Sequence, residues 1–177
     1  MGHFILICSR QSTRIASIVR SAFQSHLHTY HYPHSVIEVH VSVLSVDGSL
    51  LAAIVNACTL ALVDAGIPMP GLLCGCSAGM SGSASTPRDP RHDELDPILD
   101  VSLPEEQELP SLTVTTTTPI PHAMDEDGND LKVAALNMDS KVHVSYIEPL
   151  LAVGIDGCKK IRSVLQGVIK ETDRIVA

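Results

Sequence analysis

The sequence contains no tryptophan, and aromatic residues make up only 3% of its 177 positions. Apolar residues reach 45%, so a core of ordinary size must be built almost wholly from aliphatic side chains. The shortage of rings argues against RNA-binding sheets and single-strand platforms that stack several bases on aromatic side chains. The length of the chain predicts one domain of common size.

Positive charge is also scarce, with 12 Lys and Arg against 20 Asp and Glu, which gives a net charge of −8. A protein that binds nucleic acid through its overall field is usually basic. Any RNA contact of this chain must therefore be local, or shared with partner chains.

Long apolar runs and regular cysteine spacing are missing as well. The apolar run from His3 to Cys8 is too short for a secretory signal and lacks a basic lead. No run approaches the roughly 20 apolar residues that span a bilayer. The five cysteines are too few and too scattered for a secreted disulfide framework: Cys8, Cys58, Cys74, Cys76 and Cys158. These absences predict a soluble protein of a reducing compartment.

The most regular stretch of the chain runs from Val36 to Met80. Apolar and polar residues alternate from Ile37 to Val43, which predicts a strand. A turn at Asp47-Gly48 leads into an Ala- and Leu-rich helix that ends at Gly66, with a proline two residues beyond. Leu72 to Met80 is apolar and interrupted by glycine, as is typical of a strand covered on both faces. We expect the rest of the chain to pack on this unit.

Two long helices flank that stretch. One begins with Ser12 as its N-cap and repeats apolar residues at helical spacing, and the other runs from Ile147 to about Ile169. Arg10 and Arg14 lie at the start of the first helix, where free backbone N–H groups favour a phosphate contact. We therefore expect these two arginines to contact RNA backbone.

The segment between the long helices is predicted to be mostly extended. Ser81 to Pro97 reads as a polar surface loop, followed by a short strand from Ile98 that Pro104-Glu105-Glu106 ends. Ser111 to Thr118 and Leu131 to Met138 are expected to form a hairpin. The predicted plan has residues 1–9 as an unpaired N-terminal remnant and residues 10–177 as one domain, of which residues 81–97 form the surface loop.

Three groups of residues resemble metal sites, but ordinary structure is the better interpretation of each. The histidines after the first helix lack the spacing of known helical metal motifs. Cys74 and Cys76 would share one face of a strand, but no second pair has ligand spacing. An acidic turn lacks the downstream Glu of a calcium loop. The histidines are His26, His28, His31, His34 and His40. The acidic turn contains Asp125, Asp127 and Asn129.

The residues by themselves contain no catalytic motif. The sequence has no Gly-rich phosphate loop, no GxSxG and no HExxH. Glu105 and Glu106 are adjacent, and adjacent side chains rarely converge on one atom, so they do not form a catalytic pair. No metal ion or cofactor is predicted.

Three stretches together resemble the RNase PH-like family: VSVLSVDG, AAIVNACTLALVDAGIPM and CGCSAGM. Residues 97–110 and 150–162 agree with the same family, so the resemblance covers about residues 10–173. It implies an α+β fold of the RNase PH type, also called ribosomal protein S5 domain 2-like. In that fold a mixed β-sheet packs against two long helices.

The departures from the family pattern concern its chemistry. Active members follow the Asp-Gly turn with Gly-Thr-Arg, whereas Ser49, Leu50 and Leu51 stand here. Without that Arg, the bidentate clamp for phosphate is lost. An Arg at the first helix corresponds to Gln11, and by spacing the two catalytic aspartates correspond to Glu106 and Leu112. The resemblance therefore implies degenerate phosphate-site and catalytic positions and no catalytic residues.

The resemblance also implies a role. It suggests a structural subunit of the RNA exosome core ring, which supports the channelling of single-stranded RNA in 3′-to-5′ processing and degradation. The implied partners are other RNase PH-like ring subunits and RNA, without DNA or a membrane. The implied location is the nucleus, with its nucleolus, and the cytoplasm. Two alternatives are left open: an active phosphate-dependent 3′-to-5′ exoribonuclease, and a non-functional product of a truncated reading frame.

The resemblance starts near Arg10, whereas family members carry about sixty more residues before that point, a sizeable share of a domain. We therefore expect a chain truncated at its N-terminus, with sheet edges that lack their partner strands.

Overall fold

The computed structural model describes residues 3–8, 13–81, 96–117 and 132–176, with the backbone alone for residues 3–8, 173, 175 and 176. The described chain is α+β, as expected. The elements are, in order, β1 (His3–Cys8), α1 (Thr13–His26), β2 (Val36–Val41), α2 (Leu50–Asp64), β3 (Leu73–Met80), β4 (Pro97–Leu99), α3 (Leu103–Glu108), β5 (Ser111–Thr117), β6 (Lys132–Met138) and α4 (Ile147–Val176). Short 3-10 turns cover Thr29–His31 and Val144–Tyr146.

The described strands form two sheets, where one mixed sheet was expected. Four strands make an antiparallel sheet in the order β4-β3-β5-β6, and β1 pairs with β2 in parallel. The connections explain this division. A helix crossover joins β1 to β2, and a crossover of this kind is what parallel neighbours require. The strands β5 and β6 instead pair as a hairpin, as predicted.

The prediction that residues 1–9 are unpaired is wrong for β1. Its register with β2 runs from His3 opposite Val36 to Cys8 opposite Val41. The short apolar run had no visible partner in the sequence because that partner lies beyond the whole of α1. Pairing gives the backbone groups of both strands hydrogen-bond partners on one side.

The strand β3 lies at the centre of the fold, and all eight of its residues are buried. Alternate residues point to opposite faces. A side chain on Gly75 would meet Ala52 of α2, whereas Cys76 touches the position of Gly157 on α4. The helices α2 and α4 therefore cover opposite faces of the antiparallel sheet, and the prediction of a strand buried on both sides is confirmed.

Each face has its own core, built mostly from aliphatic side chains with one buried aromatic ring in each. On one face, α1 and α2 pack around Phe23, Leu62 and Leu73. On the other, α4 packs with β3 and β5 around Met80, Leu112 and Leu150. Burial of side chains of this size contributes about 1.5–3 kcal/mol each before entropy is counted. The aliphatic composition noted in the sequence thus supplies two cores, one on each side of a single sheet.

Two differences from the sequence-based expectations concern helix bounds. The last helix continues to Val176, seven residues beyond the predicted end. A short helix, α3, replaces the strand end expected at Pro104. Its start is fixed by Ser102, whose backbone N–H and hydroxyl both donate to the Glu105 carboxylate, at 2.9 and 2.7 Å. Ser102 and Glu105 form a capping box, a pattern that was readable in the sequence.

Several predicted features fall outside the described residues. They are Arg10, Gln11, most of the loop at 81–97, and the acidic turn with Asp125, Asp127 and Asn129. Within the part of the chain that is described, no helix has both the length and the apolar character needed to cross a membrane.

Two glycines of α4 give a matched test of how closely this helix approaches the sheet. A Cβ on Gly157 would lie 2.5 Å from Cys76 Sγ and 2.8 Å from Leu99 Cδ2, whereas a Cβ on Gly167 would meet nothing within 4 Å. We expect Gly157→Ala to lower the free energy of unfolding by about 1–3 kcal/mol through overpacking. Gly167→Ala should raise it by up to ~1 kcal/mol, since alanine favours the helix.

Urea unfolding followed by circular dichroism measures both changes. Equal stability changes for the two variants would contradict the close approach of α4 to β3.

Candidate functional site

The candidate site lies along one edge of β3. The strand β4 pairs with β3 only from Ala78 to Met80, so the edge from Leu73 to Ser77 has no strand partner among the described strands. Side chains of α2 take the place of a strand. The Asn56 amide donates to Gly75 O and accepts from Gly75 N, both at 2.9 Å, and Thr59 Oγ1 donates to Leu73 O at 2.8 Å. Gly75 and Leu73 thereby make hydrogen bonds at this edge without a neighbouring strand.

Two turns meet at the end of this edge. Gly48, in the turn before α2, has φ +93°, and a Cβ there would lie 2.6 Å from Ser102 C and 2.7 Å from Leu103 N. Both the conformation and the space therefore require glycine. Leu103 N donates to Asp47 O at 3.1 Å, which joins the start of α3 to the same turn. The Asp47-Gly48 turn predicted from the sequence thus also connects two parts of the chain. We call this contact of residues 47–49 with residues 100–103 the joint.

Ser49 holds this joint together. It adopts the left-handed conformation with φ 51°, and its hydroxyl donates to Val101 O at 3.0 Å and also bonds Ser77 Oγ. The backbone N–H of Asp100 donates to Ser77 O at 2.9 Å, which closes the network. Because the Ser49 side chain is used in this way, it makes no hydrogen bond that caps α2.

The two leucines that follow Ser49 serve the core. Leu51 is buried in the α1–α2 cluster, and half-buried Leu50 packs against that cluster. Neither side chain offers a donor for a phosphate oxygen. At the positions where the family resemblance predicts a phosphate clamp, this chain has packing residues instead.

A pocket of about 500 Å³ opens beside the joint and continues to α4. Its charged lining residues are Asp47 and Asp100, from the two turns, and Lys160 from α4. Asn56 and Ser77 contribute polar atoms, but both are already hydrogen-bonded to protein. Two carboxylates against one ammonium group make this a poor environment for an anion.

The structure does not bring the predicted catalytic positions together at this pocket. Leu112 is buried in the core under α4, paired with Ala78, so it points away from the face that carries Ser49. Glu106 lies exposed on α3, and neither residue lines the pocket. The neighbouring Glu105 is occupied in starting α3, where its hydrogen bonds to Ser102 hold the pKa of its carboxyl below the usual value.

Arg14 also lies away from the pocket. Its guanidinium donates to Asn137 Oδ1 at 3.0 Å and pairs with the Asp139 carboxylate, just past β6. β6 forms the edge of the antiparallel sheet opposite to β4, so Arg14 and Ser49 belong to different edges of the sheet. The phosphate contact predicted for Arg14 would have to compete with this exposed ion pair.

Sequence reasoning named the turn residues of the pocket but missed Asn56, Asp100 and Lys160, and one signal would have found Asn56. In the apolar helix α2, Asn56 and Thr59 are the only polar residues before its last residue, Asp64. A polar residue inside an apolar helix needs a hydrogen-bond partner, and both side chains bond the edge of β3. Asp100 and Lys160 gave no comparable signal, because they are brought to the pocket by elements distant in the chain.

The cysteine and histidine groups do not form metal sites in the described part of the chain. Cys74, Cys76 and Cys158 pack together under α4, and burial raises the pKa of the Cys74 thiol to about 12 and that of the Cys76 thiol to about 11. These thiols stay protonated at neutral pH and behave as small apolar groups. His26 bonds Gly71 O at 2.7 Å and contacts Thr117 Oγ1, and burial lowers its pKa.

Comparison with solved structures identifies the fold. The chain resembles the crystal structure of rice (Oryza sativa) Rrp46 with a TM-score of 0.72, over 96% of this chain and 73% of the rice chain, at 19% sequence identity. The family model described as the 3′ exoribonuclease family, domain 1, matches residues 7–68. The fold is therefore RNase PH-like, and the expectation from the family resemblance is confirmed.

Sequence comparison gives more specific relatives. The chain is 32% identical over 165 residues to the exosome complex component RRP41 homolog of Arabidopsis thaliana, covering 93% of this chain and 60% of that protein. It is 30% identical over 154 residues to the exosome complex component ski6 of Schizosaccharomyces pombe, covering 87% of this chain and 54% of that protein. The chain thus spans little more than half the length of these relatives.

The hydrogen bonds of Asn56 to β3 can be tested by substitution. Asn56→Ala leaves the N–H and C=O of Gly75 without their side-chain partners, and we expect the free energy of unfolding to fall by about 1–3 kcal/mol. Gln166→Ala, at an exposed position of α4, is the control and should change stability by less than about 0.5 kcal/mol. Chemical unfolding measures both, and an unchanged Asn56→Ala variant would contradict the proposed role of the amide.

Proposed function

We propose that this chain is a non-catalytic structural subunit of the RNA exosome core ring. The observation that carries the proposal is the similarity to exosome complex components across 93% of the chain, together with the RNase PH-like fold. The subunit holds neighbouring RNase PH-like subunits and supports the passage of single-stranded RNA in 3′-to-5′ processing and degradation. It acts in the nucleus, including the nucleolus, and in the cytoplasm, without a cofactor.

The absence of catalysis is supported by the chemistry of the pocket. Phosphorolysis requires donors that hold a phosphate ion and stabilise the charge that develops during the reaction. Here Leu50 and Leu51 face the core. The hydroxyl of Ser49 is committed to Ser77 and Val101. The charged lining of the pocket is mainly acidic, with Asp47 and Asp100 against Lys160, and such a site repels the anion that the reaction would consume.

Contacts with RNA, in this proposal, are local. The net charge of −8 gives the chain no general attraction for polyanions. Arg10 and Arg14 remain the proposed backbone contacts, and they would position RNA without reading its bases. Arg14 would have to exchange its exposed partner Asp139 for a phosphate, which costs little because exposed ion pairs contribute only about 0–1 kcal/mol.

Assembly is the first test. A tagged copy of the chain, expressed in its own organism, should recover other RNase PH-like ring subunits, identified by mass spectrometry. A full-length relative from the same cells, carrying the same tag, is the positive control. Recovery of ring subunits by the control but not by this chain would refute the proposal.

Phosphorolysis is the second test, and it addresses the alternative of an active exoribonuclease. With RNA labelled at its 3′ end, the purified chain should release no nucleoside diphosphate when inorganic phosphate is added. Glu106→Gln and Asp100→Asn should behave like the unchanged chain, because neither carboxylate takes part in a reaction. Phosphate-stimulated release that disappears in Glu106→Gln would establish the enzyme instead.

A further inference from the structure

Three rings, those of half-buried His28 and of exposed Tyr30 and His31, follow α1 and contact one another. The ring centroids of Tyr30 and His31 are 4.1 Å apart with an interplanar angle of 40°. His28 meets both edge-on, with its centroid 5.4 Å from that of Tyr30 and 6.2 Å from that of His31. We call His28, Tyr30 and His31 the ring cluster. The 3-10 turn Thr29–His31 fixes its backbone.

Tyr30 presents an open surface although the cluster holds it in place. Its side chain is 70% exposed, in a chain whose aromatic content is only 3%. A single exposed ring needs no explanation. Three rings that restrain one another while one of them stays open to solvent differ from that case, because the open ring can accept a further flat group at little cost in side-chain entropy.

Charge is unevenly distributed along the sequence, and the ring cluster lies in the part that precedes the first carboxylate. The first 37 residues contain three arginines and no Asp or Glu, so all 20 carboxylates lie after Ile37. Arg20 is exposed on α1, six residues before the end of the helix, which corresponds to about 9 Å along its axis. Unlike Arg14, Arg20 takes part in none of the ion pairs among the described residues.

We propose that Tyr30 stacks an unpaired base of single-stranded RNA and that Arg20 contacts a neighbouring phosphate. The choice of RNA as the nucleic acid rests on the function proposed above, whereas the stacking site rests on the ring cluster and on the exposed Arg20. Every base has a flat face that can stack on an aromatic ring, so the site is indifferent to sequence. With so few rings in the chain, it accommodates one base.

A metal ion is the other occupant that histidines suggest. The described residues contain no group of three or more His, Cys, Asp or Glu placed to share an ion. The rings of His28 and His31 contact Tyr30 instead of converging on one point. The test nevertheless includes metal binding as an outcome that would overturn the proposal.

Fluorescence anisotropy with a short labelled oligoadenylate and the full chain, in a buffer containing EDTA, tests the site. Tyr30→Ala should weaken binding by roughly tenfold, the loss of one stacked base. Tyr30→Phe keeps the ring and should bind like the unchanged chain. Val144→Ala is the control, since Val144 is 76% exposed in the other 3-10 turn. Arg20→Gln should weaken binding and reduce its dependence on salt.

A second measurement reports stacking directly. The chain has no tryptophan, so Tyr30→Trp introduces a single indole whose fluorescence should be quenched when oligoadenylate is added. The same indole at Val144 should keep its fluorescence. Quenching at position 30 alone supports the proposal, and equal behaviour at the two positions overturns it.

The possible results separate this proposal from that of an exosome subunit. If the unchanged chain fails to bind oligoadenylate, binds it only with a divalent cation, or binds it equally well after Tyr30→Ala, the stacking site is refuted. Those results leave ring assembly unaffected. If ring subunits are not recovered but binding still depends on Tyr30, the subunit proposal fails and the stacking site stands.

Discussion

The antiparallel sheet depends on how the edge of β3 is satisfied. An edge with unpaired N–H and C=O groups would ordinarily need another strand or water. Here Asn56 and Thr59 of α2 reach down to that edge and bond Gly75 and Leu73. The backbone polarity is matched while space remains beside the strand, and the pocket occupies that space. The same few hydrogen bonds thus hold a helix on the sheet and keep the candidate site open.

The chemistry of the site is limited by the contacts and hydrogen bonds that its residues already make within the protein. Gly48 allows two turns to touch, and Ser49 bonds across to Ser77 and Val101. A catalytic anion site needs donors that are free in the resting state and aimed at the ligand. The side-chain donor at this position, the Ser49 hydroxyl, is bonded within the protein, and the side chains of Leu50 and Leu51 belong to the core. The turn keeps its geometry while its side chains serve stability.

Sequence reasoning could interpret patterns that are contained in one continuous stretch of the chain. The alternation before Asp47, the apolar helix before Gly66 and the mostly apolar strand to Met80 each reflect the environment of one element. The structure has β2, α2 and β3 at these places, with β2 ending at Val41 and α2 at Asp64. The partner of β1 was not predictable, because pairing depends on a strand beyond an intervening helix. The face of the sheet to which Leu112 points depends on the register of β5 with β3. A shift of one residue would move its side chain from the core under α4 to the opposite face. The helix α3 was missed although Ser102 and Glu105 signalled its start.

The coverage of β3 by α4 has a consequence for synthesis. The face that carries Cys74, Cys76 and Ala78 is completed by Leu150, Cys158 and Leu165, which belong to the last helix of the chain. Because a ribosome makes the chain from its N-terminus, this apolar surface stays uncovered until α4 has emerged. During that interval the uncovered apolar surface favours aggregation of the nascent chain.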